Sequence, residues 1–235
     1  GFAGIHAIPF WASVILTLII FIGIINAFNL IDGIDGLASG TGLLTSFVMG
    51  IWLFGLGYYG MAILAWSLVG SLLSFIFFNV YGKKNKIFMG DTGSLLIGLL
   101  MSLFAVTICG QEAPVNSPLH MKAAPSVLIA ILIYPLFDMI RVFTIRIFHG
   151  GNPFMADRQH IHHLFLALGL THRRSTLIIM VFNILAIVLA LLLRNTSILL
   201  LAAILLTACV SGVKIIQIVV KYRQRKKMAT DEVVQ

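Results

Sequence analysis

Most of the side chains in this chain that could do chemistry fall in three short stretches. The first is Asn26-Ala-Phe-Asn29-Leu-Ile-Asp32-Gly33-Ile-Asp35-Gly36-Leu-Ala-Ser-Gly40. Two carboxylates beside two carboxamides suit a divalent cation, a proton relay or a cation path. Asp32 and Asp35 are three residues apart, so on a helical turn they share a face. Gly33, Gly36 and Gly40 let a backbone or a ligand approach closely. The second stretch runs from Asn79 to Ser94, with Lys83, Lys84 and Lys86 followed by Phe88-Met-Gly90-Asp91-Thr92-Gly93-Ser94. A helix that starts there presents its N–H groups and positive dipole end to phosphate. Asp91 can hold Mg2+, which keeps several waters and bridges to phosphates through one or two carboxylates. The third stretch is Asp157-Arg158-Gln-His160-Ile-His162-His163-Leu-Phe165, flanked by His149, Asn152 and His172. Imidazoles next to an arginine suit an anionic diphosphate. Zinc suits them less, because no cysteine or His-Glu-x-x-His partner accompanies them. Each group has a plainer reading: a helix cap, a topology signal, a solvated loop. Those readings account for single residues better than for whole groups.

The elements that must position these stretches are membrane helices. The chain is 60% hydrophobic and 10% charged, with mean hydropathy +1.04, which marks an all-α, polytopic membrane bundle. The net charge of +8 therefore speaks of membrane sidedness, and nucleic acid is not an expected partner. Cys109 and Cys209 lie inside apolar runs and read as small apolar fillers. Seven runs are long enough to span: Phe10 to Phe28, Leu37 to Leu56, Tyr59 to Val80, Leu95 to Cys109, Pro125 to Phe148, Leu177 to Leu193 and Ile198 to Val220. The fourth is expected to start earlier, with Asp91 or Thr92 as N-cap. With the Asn29–Asp35 loop placed in the cytosol, Lys83, Lys84, Lys86, Arg158, Arg173, Arg174 and the tail from Lys221 to Lys227 all fall inside. Trp52, Tyr58 and Tyr59 then form an outer aromatic belt. Residues 1–222 read as one transmembrane unit and 223–235 as a basic cytosolic tail. Asp138 and Arg141, at i and i+3, are expected to pair on one face of a helix kinked by Pro135. All three polar stretches land on one membrane face. Carboxylates, lysines, Arg and His gathered there equip a site for phosphoryl transfer, where catalysis is mostly positioning and charge neutralisation. A site at the lipid boundary implies a lipid substrate.

Asn-Ala-Phe-Asn-Leu-Ile-Asp-Gly-Ile-Asp-Gly-Leu-Ala from Asn26, Phe-Met-Gly-Asp-Thr-Gly-Ser from Phe88, and Asp-Arg-Gln-His-Ile-His-His-Leu-Phe from Asp157 resemble the polyprenyl-phosphate N-acetylhexosamine-1-phosphate transferases. The His-Ile-His-His form is closest to the undecaprenyl-phosphate N-acetylglucosaminyl 1-phosphate branch. The resemblance implies transfer of a sugar 1-phosphate from a UDP-N-acetylhexosamine to undecaprenyl phosphate, with release of UMP. It implies Mg2+ or Mn2+ as cofactor and a multi-pass place in a bacterial plasma membrane; a homodimer is a candidate assembly that neither the residues nor the resemblance decides. Asp91 resembles the family's metal-binding aspartate, and Asn29 an asparagine that helps hold the metal. Asp32 and Asp35 match motif aspartates tied to catalysis and substrate binding, and His162 joins them as a catalytic candidate. Phe88 matches an aromatic next to uracil. Asn26, Lys83, Lys86, Arg158, His160 and His163 are the expected substrate-binding set, with Arg158, His160 and His163 at the diphosphate.

The resemblance also sets an expectation of something missing. The family carries an Asp-Asp pair on an earlier loop, and about ten or eleven spans against seven here, where each takes about 20 residues. The chain therefore looks like a C-terminal portion, weak or inactive alone. Two rival readings are weaker. A CDP-alcohol phosphotransferase would need an Arg after the second Asp-Gly and further aspartates sooner than Asp91. A transporter or ion pathway would place its aspartates near mid-membrane, often within repeats, whereas these cluster at one face.

Overall fold

The computed structural model describes residues 9–110, 121, 123–152 and 159–234. Within those residues the regular structure is all helix, joined by turns and loops. In order the helices are α1 (Phe10–Leu30), α2 (Leu37–Gly55), α3 (Tyr59–Tyr81), α4 (Gly90–Cys109), α5 (Ala124–Ile131), α6 (Ile133–Phe148), α7 (Ile161–Ala167), α8 (His172–Leu192) and α9 (Ile198–Val234). Apolar runs of this length become helices because lipid offers the backbone no other hydrogen-bond partner. α1, α2, α3, α4, α8 and the apolar part of α9 are each long enough to cross a membrane.

The fifth run is broken. α5 and α6 meet at Leu132 at 80°. Pro135 has no N–H to offer the Ile131 carbonyl, and its ring crowds that same oxygen. α5 accordingly ends at Ile131, and the expected kink is a full change of direction. α4 also differs from expectation. It starts at Gly90 with Met89 as its N-cap residue and no side-chain cap. Asp91 thus lies in the first turn, where a carboxylate is still stabilising beside the helix dipole.

α2 is the central helix: 61% of its span is buried, against 11% for α1 and 22% for α3. It packs on α3, α4 and α8, while α1 lies against α4 and α6, and α5 against α8 and α9. α1 and α4 approach closely at Gly98, where a Cβ would stand 2.6 Å from the Ile25 Cα. Small residues at such crossings let membrane helices gain packing that water cannot drive. α5 is tied to the α8–α9 connection by Ala123 N–H to Arg194 O (3.0 Å) and by Ser126 Oγ to Ile198 O (2.9 Å). The centrality of α2 also corrects the aromatic belt. Trp52 is turned into the core and buried, whereas Tyr59 is exposed.

Candidate active site

The end of α1, the starts of α2, α4 and α8, the end of α3, and α7 meet at one end of the bundle. Residues 31–36 form a tight non-helical turn, with Asp32 N–H on Asn29 O (3.2 Å) and Leu37 N–H on Ile34 O (3.2 Å). Ile31 and Ile34 are buried beneath it. Gly36, at φ +78°, supplies the left-handed step that starts α2. Asp32 and Asp35 therefore do not share a helical face, as their spacing had implied. They look toward different partners.

Asp32 belongs with α4. Burial, and then the charge of Asp91, push its carboxyl up to about 6. Asn29 ties this corner together, donating Nδ2–H to Asp91 Oδ1 (3.2 Å) and to Ser94 Oγ (3.0 Å). Asp35 belongs with the second loop. Lys86 Nζ sits 2.7 Å from its Oδ2, His172 Nδ1 lies 3.2 Å from the same oxygen, and Thr176 donates to its backbone oxygen (2.9 Å). Burial works to raise this carboxyl, but Lys86 and His172 outweigh it and hold Asp35 below its ordinary value. Lys86 also lies 5.3 Å from the ring of Phe88, which is 75% exposed and free to stack. Lys83 is exposed on the same loop.

The histidines form the third wall, on α7. His160 stacks on His162 at 5.6 Å and 9°, and His163 lies 4.3 Å from His162 at a tilt. His162 is buried at 1% exposure, and neither of its ring nitrogens has a partner among the described residues. Burial, with repulsion from His163, drives it down to about 4, so it is neutral near pH 7; Asp138 pulls the other way and loses. Its ring presses on the first loop, and a Cβ on Gly33 would collide with Nε2. His160 is turned inward through Nδ1, which lies 2.9 Å from Asp138 Oδ2. Asn26 bonds back to Ile22 O (2.7 Å) on its own helix. Arg158 lies outside the described residues.

Three positioning residues had no assigned role in the sequence. Asn79 is buried. Its Oδ1 accepts from Gly36 N (2.7 Å) and its Nδ2 donates to Ile87 O (2.9 Å), so it joins the first two loops. His172 and Thr176 hold Asp35 from α8. The one available signal for Asn79 was a carboxamide at the end of an otherwise apolar run. Arg173, one residue beyond His172, donates from Nε (3.1 Å) and an Nη (2.5 Å) to Val80 O.

The donor set fits a hard cation. Burial, and then the charge of Asp91, raise the cost of ionising Asp32, a cost that a divalent ion beside it would relieve. No group of three His, Cys, Asp or Glu side chains that could cage an ion occurs among the described residues. The side-chain oxygens of Asp32, Asp91 and Asn29 are of the type that Mg2+ would take, with its other positions left to water and phosphate.

Residues 1–109 match the model of glycosyl transferase family 4. The chain is 36% identical over 182 residues to a decaprenyl-phosphate N-acetylglucosaminephosphotransferase of Mycobacterium leprae, covering 72% of this chain and 45% of that protein. It is 35% identical over 167 residues to an undecaprenyl-phosphate alpha-N-acetylglucosaminyl 1-phosphate transferase of Escherichia coli K12, covering 70% of this chain and 43% of the relative. A Yersinia pestis protein of the latter name matches at 34% over 183 residues, 74% of this chain and 48% of its own length. The chain thus spans about half the length of the curated relatives it matches. The first two loops lie inside the family match and both close on the Asp32–Asp91 corner, so the part of the chain that carries them is similar to glycosyl transferase family 4.

Proposed function

We propose that these residues are part of an enzyme that transfers N-acetylglucosamine 1-phosphate from its UDP-sugar to a polyprenyl phosphate. The acceptor's phosphate oxygen attacks the sugar-linked phosphorus. The pyrophosphate P–O bond breaks, and UMP leaves. The Asn29–Asp32–Asp91 corner carries this reading, because it puts two coupled carboxylates where the membrane helices end. Asp91 and Asn29 would hold Mg2+, which when bound neutralises the diphosphate and the leaving UMP. Asp32, half-buried beside Asp91, is the carboxyl placed to take a proton from the acceptor phosphate. Phe88 offers an open ring for the uracil, with Lys86 beside it for charge. His163, with Arg158 and Lys83, supplies further positive and hydrogen-bonding groups for the diphosphate. An apolar cavity of about 140 Å3 behind α7, lined by Tyr134, Phe137, Phe165, Phe182 and Val213, suits the isoprenoid part of the acceptor. The lysine bias supports the reading that this face lies in the cytosol.

The test is UMP release by the full-length purified protein from UDP-N-acetylglucosamine, undecaprenyl phosphate and Mg2+. Turnover that stops when EDTA removes the metal is the expected result. A protein that is folded and metal-loaded yet releases no UMP from any UDP-N-acetylhexosamine overturns the proposal.

A further inference from the structure

Asp138 of α6 takes no part in the reaction just described, yet it is fully buried. A buried carboxylate is costly unless its oxygens are satisfied, and here they are divided between two partners. Oδ1 accepts the backbone N–H of Ile161 at 2.9 Å, and Oδ2 meets His160 Nδ1 at 2.9 Å. Arg141 makes the ion pair its spacing suggested, 3.9 Å from Oδ1, and also donates to Gln159 O at 2.6 Å. All these bonds fall at the entry to α7.

α7 has seven residues, too few to be stable as an isolated helix. It is held at both ends. Asp138 meets its first N–H, and Arg223 of α9 donates to Leu168 O at 2.8 Å, at its C-cap. The negative group sits at the N-terminus and the positive one at the C-terminus, as the helix dipole favours. Between the clamps His162 has no hydrogen bond of its own among the described residues. Its place against Gly33 depends on α7 and on the His160 ring stacked beside it.

We propose that Asp138 is a positioning residue that fixes α7 and the His160 ring, and through them seats His162 against the Asp32–Asp35 turn. His160 is then a strut, bonded through Nδ1 to Asp138, and not a ligand of the diphosphate. This assignment of roles rests on the transferase reading only where turnover is the readout.

The experiment uses the full-length protein and two mimics of the imidazole. His160→Asn places a carboxamide N–H near Nδ1, and His160→Gln places one near Nε2. The Asn variant is expected to keep kcat within about threefold of wild type, while His160→Gln, His160→Ala and Asp138→Ala each lose about 10- to 100-fold with the donor KM little changed. The double variant Asp138→Ala/His160→Ala is expected to be no worse than either single one, as for residues acting as one unit. Hydrogen exchange across residues 159–168 should speed up in Asp138→Ala, with α1 to α4 unchanged. That measurement needs no turnover, so it separates a failure of this proposal from a failure of the transferase reading. Asp138→Asn, which keeps an acceptor for the Ile161 N–H but loses the charge, serves if the Ala variant does not insert; it should speed exchange less. Retained kcat in His160→Gln with loss in His160→Asn, multiplying losses in the double variant, or unchanged exchange would each overturn the proposal.

Discussion

Asp32 and Asp35 stand three positions apart and have opposite electrostatic fates. Asp32 is pushed up beside Asp91, while Asp35 is held ionised by Lys86 and His172. One carboxyl is thereby made costly to ionise and the other ties the first loop to Lys86 and to α8. Asp91→Asn should lower turnover by at least about 100-fold with the protein still inserted, because a carboxamide cannot neutralise a cation as a carboxylate does. UMP release from proteoliposomes, beside a measure of inserted protein, checks it. Lys86→Met should raise the donor KM by about tenfold, since it frees Asp35 and strips the charge beside Phe88; steady-state kinetics decide. His162 gives a pH prediction. Its folded value, about 4, lies below its ordinary 6.5, so the unfolded chain takes up the proton first as pH falls. The stability His162 contributes is full above pH 6.5 and is lost between 6.5 and 4, on the order of 3 kcal/mol. Thermal melts of wild type should weaken more over that window than those of His162→Gln; parallel curves would refute the assignment. The residue types were readable from sequence because ionisable groups in so apolar a chain are expensive. Their pairings were not, since Asp35 finds Lys86 and His172 at separations of 51 and 137 residues.

At the scale of elements, the end of α3 is where the loops are joined. Asn79 bonds one loop with each end of its carboxamide, and Arg173 of α8 closes on Val80. Asn79→Ala leaves a buried N–H at Gly36 and a carbonyl at Ile87 without partners, at a cost of about 1 to 3 kcal/mol. Lower melting temperature together with lost turnover is the expected outcome. Gly33→Ala acts across the other seam. The added methyl meets His162, so α7 must shift; turnover should fall steeply while the melting temperature changes little, because the collision lies at the rim of the bundle. The long helices were readable because length and apolarity dictate them. The break at Leu132 was only half readable: Pro135 announced a bend but not its size. α7 was invisible as a helix, because its stability comes from Asp138 and Arg223, which belong to other elements.

For the whole molecule, sidedness is the property most open to test. Single cysteines at Lys84 and at Gly57, in a cysteine-free background, should be labelled from opposite faces of intact cells, Gly57 from outside. Equal labelling at both would reject the topology. The exposed apolar side chains of α1, among them Trp11, Ile15 and Ile19, agree with a bundle whose flanks contact lipid or other spans. The bend at Leu132 has a mechanical consequence. Eight and sixteen residues joined at 80° reach about 29 Å from end to end, where a straight helix of that length would reach about 37 Å. Taken as one span, the pair matches a hydrocarbon layer of about 30 Å only with that line upright, and a tilted pair is accommodated by local thinning of the bilayer or by snorkelling flanking residues. Acyl-chain length is therefore a physical variable for this protein: thicker bilayers load the α5–α6 elbow, and the elbow carries the aspartate on which α7 hangs.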